Sequence, residues 1–493
     1  MAPEEIKVPA TWAVVKLGKF VESQKGKKPK NEAKEKSASH TIPYVDIQTF
    51  EEKIVRTWTD GVGCHPCYES DFLMVWDGSR SGLVGKGVNG ALGSTLVRIN
   101  FPLMVNDYAY YFLKSKYQQI NTRAKGSGTP HVDPDLLWNY DFPIPPLKEQ
   151  YRIVEKIEEL FSELDRGIEN LTNGQEGIKV YRQALLKHAF EGKFTAQWRE
   201  KNKELLEDAE VILERIKFER EHIYRHEITA WEIEGKIGSK PRSPKLLSPL
   251  STEELAGLPE LSKGWAWFSI GDSCLESTLG KMLDKEKNKG ELKPYLRNIN
   301  VRWGRFNLDN LLEMRFEKAE LSRYGLKDGD LVICEGGEPG RSAVWRGLFG
   351  GDMLIQKALH RVRFTHSVNS FFVQKYFELC ASNRRLEKMF TGTTIKHLTG
   401  EKLARMAIPI CSIDEQLQIL QILEEKLSEV DQLQLAIAIS LGQSEALRQS
   451  ILQKAFSGQL VSQDPNDEPA SELLSRINSE ISKPQHVKKK KAS

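Results

Sequence analysis

The sequence predicts an α+β protein in which two pseudo-symmetric, mixed α/β domains are separated by an antiparallel pair of long α-helices. Three observations lead to this prediction. The chain of 493 residues contains an internal repeat with a period of about 260 residues. Each copy begins with short β-like runs, glycine turns and aromatic residues, and each then continues into segments with helical periodicity.

The order of these features along the chain predicts five regions. They are a mixed domain at 1–146, a helical region with a helical linker at 147–238, a flexible linker at 239–263, a second mixed domain at 264–408, and a second helical region with a basic tail at 409–493. The stretch around SKPRSPKLLSPLS is rich in proline and serine, which is typical of a linker.

The repeat is clearest where residues 131–192 are aligned with residues 397–458 without gaps. In this alignment 18 of the 62 positions are identical, and Pro143-Ile144, for example, falls on Pro409-Ile410. Solenoid repeats have shorter periods, of roughly 20–50 residues. The repeat therefore indicates one large unit that has been duplicated.

Both helical regions start after a stretch that contains proline and then carry a hydrophobic stripe. The stretches are PIPPLKEQ (143–150) and PICSIDEQ (409–416), and proline is tolerated near a helix start but not inside a helix. A second helix is expected to follow in each copy and to end at Gly192 or Gly458. The stripe residues are Ile153, Ile157, Leu160, Leu164 and Leu171 in the first copy and Ile419, Leu423, Leu427, Val430 and Ile437 in the second.

The two stripes have two interpretations. Either the long helices pair with each other as a spacer, or each stripe packs only on its own domain. The duplication favours pairing, because two copies of one unit readily form a pseudo-twofold pair.

The composition excludes several classes of protein. Hydrophobic residues make up 40% of the chain, and no apolar run reaches the roughly 20 residues that span a bilayer, so no membrane partner is expected. Six cysteines are too few for a disulfide framework in a chain of this length, and no export signal is evident, so we expect a cytoplasmic protein. The formal charge of +3 neither requires nor excludes nucleic acid.

The two mixed domains share a scaffold but differ at a loop tip. The segment DFLMVWDGSRSGLVG (71–85) corresponds to DLVICEGGEPGRSAVW (330–345) as a strand–turn–strand unit. The turns themselves differ, Asp77-Gly78-Ser79-Arg80 against Glu335-Gly336-Gly337-Glu338. Divergent polar tips on a common frame suit two readers of different ligands.

Basic and aromatic residues cluster in loops of both copies, and one of these loops, at 123–131, has a counterpart at 390–397. Lys and Arg neutralise phosphates, and Arg, Asn and Gln bind base edges. One basic cluster alone is more often a solvated surface, but clusters in both copies favour DNA. The expected DNA-binding residues are Lys25, Lys27, Lys28, Ser79, Arg80, Lys86, Asn89, Lys125, Ser127, His131, Arg297, Asn298, Asn300, Arg302, Trp303, Arg305, Glu338, Arg341, Lys396 and His397.

Catalytic and metal-binding signatures are missing from the sequence. It contains no phosphate-binding G-x-x-x-x-G-K-[ST] loop, no [NDS]-P-P-[YFW] motif of the kind that holds a flipped adenine in amino-methyltransferases, and no H-E-x-x-H. Cys64 and Cys67 form a single C-x-x-C without a second pair at zinc-ribbon spacing. We therefore expect a binding protein with no catalytic residue, no metal and no cofactor of its own.

These features together resemble one known family, the specificity subunits of type I restriction-modification systems. The matching segments are GSGTPH (126–131), PIPPLKEQ (143–150) with the helix that follows it, and LLKHAFEGK (185–193), which recur in weaker form at 392–397, 409–416 and 451–459. In one departure, Cys411-Ser412 replaces Pro145-Pro146 in the second copy.

The resemblance implies a role in DNA recognition for phage defence. Each mixed domain would be a target recognition domain that reads one half of a split, asymmetric double-stranded DNA site, and the helices would set the spacing. Two modification subunits would carry S-adenosylmethionine and methylate adenine, while restriction subunits would use ATP and Mg²⁺. A helix of about 25 residues would be roughly 38 Å long, close to one turn of B-DNA.

Two rival hypotheses remain open on the sequence alone. The chain could be a helical scaffold that joins partner proteins without sequence-specific DNA contact, or it could combine recognition with methyltransferase or nuclease activity. The missing motifs argue against the second, and DNA affinity with a steep salt dependence would separate recognition from a scaffold.

Overall fold

The computed structural model describes residues 7–102, 104–126, 128–236, 240–241, 243–244, 247–282, 289–347 and 351–481. Of the expected features, Ser127, part of the linker at 239–263 and the basic tail lie outside the described residues. In the part that is described, no helix is both long enough and apolar enough to cross a membrane.

The first mixed domain consists of short strands and helices that precede a long helix. Its strands are β1 (Ala13–Lys16), β2 (Glu22–Lys25), β3 (Glu32–Ala33), β4 (Ile42–Val45), β5 (Trp58–Thr59), β6 (Pro66–Cys67), β7 (Phe72–Val75), β8 (Val84–Lys86), β9 (Gly90–Leu92), β10 (Leu96–Asn100) and β11 (Asp141–Ile144). Its helices are α1 (Ile47–Glu52), α2 (Asn106–Thr122) and α3 (Pro134–Trp138).

Four helices then lead to the second mixed domain. They are α4 (Leu147–Phe190), α5 (Ala196–Lys201), α6 (Ala209–Ile233) and α7 (Thr252–Leu255).

The second domain repeats the same plan and also precedes a long helix. Its strands are β12 (Ala266–Ser269), β13 (Cys274–Leu279), β14 (Glu291–Leu296), β15 (Val301–Arg302), β16 (Arg305–Phe306), β17 (Leu312–Phe316), β18 (Leu331–Cys334), β19 (Ser342–Val344), β20 (Leu354–Ile355), β21 (Leu359–Phe364) and β22 (Ala407–Ile410). Its helices are α8 (Ile270–Ser273), α9 (Lys318–Tyr324), α10 (Ser370–Ser382) and α11 (Gly400–Arg405), and α12 (Ile413–Phe456) and α13 (Ala470–Ile481) follow.

The two domains share the topology of two sheets, whereas a third sheet has five strands in the first domain (β3-β5-β4-β9-β6) and three in the second (β17-β14-β20). An antiparallel sheet with the order β2-β10-β7-β8 in the first domain corresponds to β13-β21-β18-β19 in the second. The first and last strands of each domain also pair, β1 with β11 and β12 with β22. Each domain therefore closes on itself immediately before its long helix begins.

The described residues group into two compact units that interleave along the sequence. The first unit combines residues 1–172 with 438–493, and the second contains residues 173–437. Each unit thus holds one mixed domain, the start of the helix that follows it and the end of the other long helix. Helices α4 and α12 each begin in one unit and end in the other.

The core of the first unit shows why the end of α12 belongs there. Phe456 packs on Tyr108 and Phe112 of α2, with ring centroids 5.3 and 5.2 Å apart. In the second unit Phe190, at the end of α4, packs in the same way on Phe372 and Tyr376 of α10, at 4.9 and 5.1 Å. The apolar end of each long helix thus completes a domain core that starts elsewhere in the chain.

Each helical region contains one continuous helix of 44 residues, so the expected pair of shorter helices in each copy is wrong. At a rise of 1.5 Å per residue each helix is about 66 Å long, rather than the expected 38 Å. Gly174 and Gly177 weaken helix propensity locally but do not end α4, because the packed apolar side chains around them outweigh that cost. Gly192 and Gly458 follow the helices with φ values of 67° and 73°, as expected for glycine caps.

The two long helices pair antiparallel, as expected. In the second unit an added Cβ on Gly174 would lie 3.5 Å from Ile437 Cδ1, and Arg182 forms an ion pair with Asp431. In the first unit Arg448 forms the corresponding ion pair with Asp165. The two pairs match at an offset of 266 residues, so the duplication extends to individual contacts.

The buried stripe differs from the expected one at three positions of α4, since Leu164 and Leu171, like Leu160, are only partly buried. Ile153 and Ile157 are fully buried, and so are all five stripe residues of α12 to within 8% exposure. Leu160 is only partly buried, whereas its neighbour Phe161 is buried at 6%. Because Leu427 aligns with Phe161 at the repeat offset, comparing the two copies identifies the correct residue.

The described part of the expected flexible linker is ordered by specific contacts, so flexibility is not confirmed for residues 247–263. Arg405 donates to Glu254 Oε1 at 2.7 Å and to the carbonyl of Ser248 at 2.5 Å. The hydrogen bond from Arg405 lowers the pKa of Glu254 to about 2, with further help from the backbone of Ser251. Residues before and within α7 are therefore fixed to the second domain.

Candidate DNA interface

Three loops of the first domain meet at the same end of its sheet, and we call them the first loop cluster (residues 25–28, 76–81 and the described residues of 123–131). Lys25 Nζ lies 2.8 Å from Asp77 Oδ2, and Gly78 donates its backbone N–H to the carbonyl of Pro130 at 2.7 Å. Lys27 and Lys28 are exposed beside them. The structure thus brings together segments separated by about 100 residues in the sequence.

The tip of this cluster carries Ser79 and Arg80, which are both exposed. Arg80 forms an ion pair with Glu51 at the end of α1. Asn121 donates to the carbonyl of Ser79 at 3.0 Å, which fixes the backbone of the turn. The Arg80 guanidinium is therefore oriented and still accessible to a ligand.

Lys86 and Asn89 lie away from this cluster. In the sheet register Lys86 pairs with Phe72, at the end of β7 opposite to the turn that carries Arg80. Lys86 is bound to Asp107, and Asn89 donates to Glu69 at 3.0 Å. These two predicted residues thus do not join the contiguous surface formed by the others.

The second domain also brings three loops together, and we call them the second loop cluster (residues 297–306, 335–341 and 391–397). The loops at 335–341 and 391–397 correspond to loops of the first cluster, whereas the loop at 297–306 does not correspond to 25–28. Arg341 Nη2 donates to the carbonyl of Asn298 at 2.8 Å, and Leu398 donates its N–H to the carbonyl of Glu335 at 2.8 Å. Arg305 and Lys396 are exposed, while Arg302 and Trp303 are half-buried. The predicted residues of the second domain are therefore brought together.

The structure contradicts the prediction that Asn300 contacts DNA. It is 2% exposed, and its amide oxygen accepts from the N–H of Arg297 at 2.9 Å. Its amide nitrogen donates to the carbonyl of Asn307 at 3.0 Å. A buried side chain whose polar atoms are already used holds the loop in shape and cannot contact DNA in this conformation.

Arg341 is also less accessible to DNA than we expected from the sequence. Its side chain is only 12% exposed, and Nη1 lies 2.7 Å from Glu338 Oε2. Glu338 is 51% exposed, and its Oε1 accepts from Trp303 Nε1 at 2.8 Å. The group that faces solvent at this tip is therefore the carboxylate of Glu338, with Arg341 beneath it.

Corresponding backbone contacts hold both clusters. Lys125 and His131 exchange backbone hydrogen bonds of 2.9 and 2.8 Å, and Thr391 and His397 do the same at 2.8 and 2.9 Å. The turn from Val75 is one residue longer than the turn from Cys334, but both end on a glycine with φ near 90°. The frames therefore match while the tips differ.

The structural role of two short motifs was not identified from the sequence, although each motif occurs once in each copy of the repeat. Gly26-Lys27 returns as Gly280-Lys281, and a Cβ at either glycine would lie 2.1–2.2 Å from a backbone oxygen, so only glycine fits. Lys27 is exposed, but Lys281 is 9% exposed and binds Glu320 at 2.6 Å. The Gly-Lys motif thus holds the same loop in both domains, but only in the first domain does its lysine, Lys27, place a positive charge on the surface.

The repeated Glu-Gln pair at the start of each long helix anchors that helix to its domain. Gln150 accepts from the N–H of Val105 at 3.0 Å, and Gln416 accepts from the N–H of Asn369 at 2.8 Å. Glu149 accepts from Trp12 at 3.0 Å, and burial raises its pKa. The identity of this pair in both copies therefore reflects structure rather than ligand binding.

The remaining candidate chemistry is weak. Among the described residues no three or more His, Cys, Asp and Glu side chains are grouped so that they could hold a metal ion. Burial raises the pKa of Cys67 to about 12, and its thiol donates to the carbonyl of Val88 at 3.1 Å. In this conformation the Cys67 thiol is thus a buried hydrogen-bond donor.

Known proteins share both the sequence pattern and the fold. Residues 9–173, which comprise the first domain and the start of α4, match the type I restriction modification DNA specificity domain. The MjaVIII specificity subunit of Methanocaldococcus jannaschii is 30% identical over 191 residues, which is 37% of this chain and 45% of that protein. The EcoDI specificity subunit of Escherichia coli is 22% identical and covers 99% of this chain and 97% of its own length.

The chain is thus similar, over most of its length, to specificity subunits of type I restriction-modification systems. A solved structure from a study of the assembly and conformational transition of a type I system covers 92% of this chain and 100% of its own chain, with a TM-score of 0.64 and 19% identity. That likeness supports the fold over nearly the whole length, including the second domain beyond the family match.

Proposed function

We propose that this chain is the specificity subunit of a type I restriction-modification system and recognises a bipartite, asymmetric sequence in double-stranded DNA, with each mixed domain reading one half. The observation that carries the proposal is that one scaffold occurs twice, and that each copy gathers three separate loops into a polar cluster at one end of its sheet. Because the frames match and the tips differ, the two halves of the target would differ in sequence.

The paired helices support the fixed spacing of the two halves. Each helix is continuous over 44 residues, and the corresponding ion pairs Asp165–Arg448 and Arg182–Asp431 fix the register of the pair. A one-turn slip along either helix would separate both ion pairs. The helix pair would therefore act as a ruler between the two recognition domains.

Partner proteins would supply the chemistry. In this proposal two modification subunits, carrying S-adenosylmethionine, dock on the helical regions and methylate adenine, and restriction subunits add ATP- and Mg²⁺-dependent cleavage. The sequence of the specificity subunit offers no catalytic signature of its own. Its role would then be to recognise the site and to recruit these partners.

Mapping methylated adenines in the host genome tests the proposal directly. A split motif, two short specific sequences separated by a fixed gap, should be methylated in the host and unmethylated after deletion of this gene. If every methylated motif remained methylated after deletion of the gene, the proposal would be contradicted.

Salt dependence separates recognition from the alternative of a scaffold without DNA contact. With about six phosphate contacts, affinity for the target should fall about 10³-fold between 50 and 200 mM salt. A scaffold would show no preference for the target over a shuffled duplex at any salt concentration.

A further inference from the structure

The two loop clusters carry opposite charges at the same structural position. In the first domain Leu83 donates its N–H to the carbonyl of Arg80, and in the second Arg341 donates its N–H to the carbonyl of Glu338. The glycines that precede Leu83 and Arg341 also correspond, because each donates to the last residue of the preceding strand. Arg80 and Glu338 therefore occupy equivalent sites, and a cation in one domain is replaced by an anion in the other.

A carboxylate at this position is unfavourable unless it has a specific partner on DNA. Phosphates repel it, so it cannot contribute to general attraction. On the major-groove edge, however, the N4 amino group of cytosine donates a hydrogen bond, and a Glu or Asp carboxylate is its usual protein acceptor. The arginine in the other domain is suited to the opposite pattern, the two acceptors of guanine.

The Glu338 carboxylate is oriented by its neighbours and still has free acceptor capacity. Trp303 Nε1 donates to Oε1 at 2.8 Å, and Arg341 Nη1 donates to Oε2 at 2.7 Å. A carboxylate has about four acceptor positions, so two remain. The side chain is 51% exposed and can therefore reach a base without breaking either contact.

The backbone turn that carries Glu338 packs closely against neighbouring segments, and such packing lowers the cost of ordering the side chain on binding. Gly337 and Gly340 have φ values of 82° and 88°. An added Cβ would lie 2.7 Å from Asn298 Nδ2 at the first and 2.6 Å from Leu386 Cδ1 at the second. The turn is thus held between the loop at 297–306 and the segment that follows α10.

From this geometry we propose that Glu338 reads a cytosine in the second half-site by accepting a hydrogen bond from its N4 amino group. This inference rests on the proposed DNA-recognition function and adds the base and the atom. Trp303 and Arg341 are positioning residues in this arrangement, because they act through the carboxylate.

The test replaces Glu338 in the full-length chain, in the host and with its natural partners, and maps methylated adenines. Wild type should require cytosine at one position of one half-site. Glu338→Gln and Glu338→Ala should relax that position alone, with methylation of other bases there rising to within a few-fold of cytosine. In purified complexes the wild-type preference for cytosine should be about 5- to 150-fold in methylation rate.

Two further variants serve as a control for the loss of charge and as a comparison with the first domain. Glu260→Gln removes the same charge from an exposed residue outside both loop clusters and should leave the motif unchanged. Arg80→Ala should relax one position in the other half-site, which identifies the half that each domain reads.

The outcomes separate the two proposals. If wild type has no split motif, the proposed function is wrong. If the motif exists but Glu338→Gln leaves every position unchanged, lowers methylation equally at all sites, or relaxes a position that is not cytosine, the assignment of Glu338 is wrong while the function stands.

Discussion

Truncation of Phe456 tests the interleaved architecture of the two units. Phe456 is 8% exposed and packs edge-on against Tyr108 and Phe112, so Phe456→Ala removes a buried ring and leaves a cavity. Such substitutions cost about 3–5 kcal/mol. For a unit of this size, that loss corresponds to a decrease in melting temperature of about 6–20 °C.

The assay is thermal unfolding of the full chain, combined with hydrogen exchange to locate the effect. Phe456→Ala should increase exchange in α2, which lies more than 300 residues away in the sequence. Phe190→Ala should instead increase exchange in α10, because Phe190 has the equivalent place in the second unit.

An exposed phenylalanine provides the control. Phe218 is 70% exposed, and Phe218→Ala should change the free energy of unfolding by less than about 0.5 kcal/mol. If Phe456→Ala destabilises the chain no more than this control, or increases exchange only near the C-terminus, the end of α12 does not complete the first core.

Three further predictions concern the helix pair, Asn300 and His360. Leu164→Asp combined with Val430→Asp places charge in the helix pair and should abolish methylation at the spaced site; unchanged methylation there would refute the ruler. Asn300→Ala should lower the free energy of unfolding by about 1–3 kcal/mol through lost loop contacts, as measured by urea unfolding, and the remaining methylation should keep its motif. Burial lowers the pKa of His360, although the carbonyl of Leu398 and Glu335 oppose that shift. Because the unfolded state binds the proton more readily, stability should be full above about pH 6.5 and decrease below it, and His360→Gln should remove part of this dependence whereas exposed His366→Gln should not.

The duplication made the largest features of the fold predictable. Aligned motifs located both mixed domains, both long helices and the glycines that end them, since each occurs twice with a similar pattern. Helix continuity was harder to predict, because the polar stretch around Gly174 in α4 lacks strong propensity and is held by contact with Ile437 on the other helix. Such tertiary contacts have no signature in a local window.

The candidate site could be predicted only in outline. Basic clusters in loops of both copies identified the segments that meet, but the sequence does not specify which side chains remain accessible after folding. Asn300 and Arg341 resemble base-reading residues by type, yet one is buried and the other lies under Glu338. The separation of Lys86 from Arg80 depends on strand register, which a sequence of alternating turns and short strands does not specify.

The interleaving of the two units also determines the order in which the chain can fold during synthesis. The second unit is contiguous in sequence and is complete once residue 437 has left the ribosome. The amino-terminal domain, although made first, waits for Leu452, Phe456 and Leu473 before its core is closed. A message truncated near its end therefore yields a protein whose earliest-made domain is the defective one, with part of its aromatic core left uncovered.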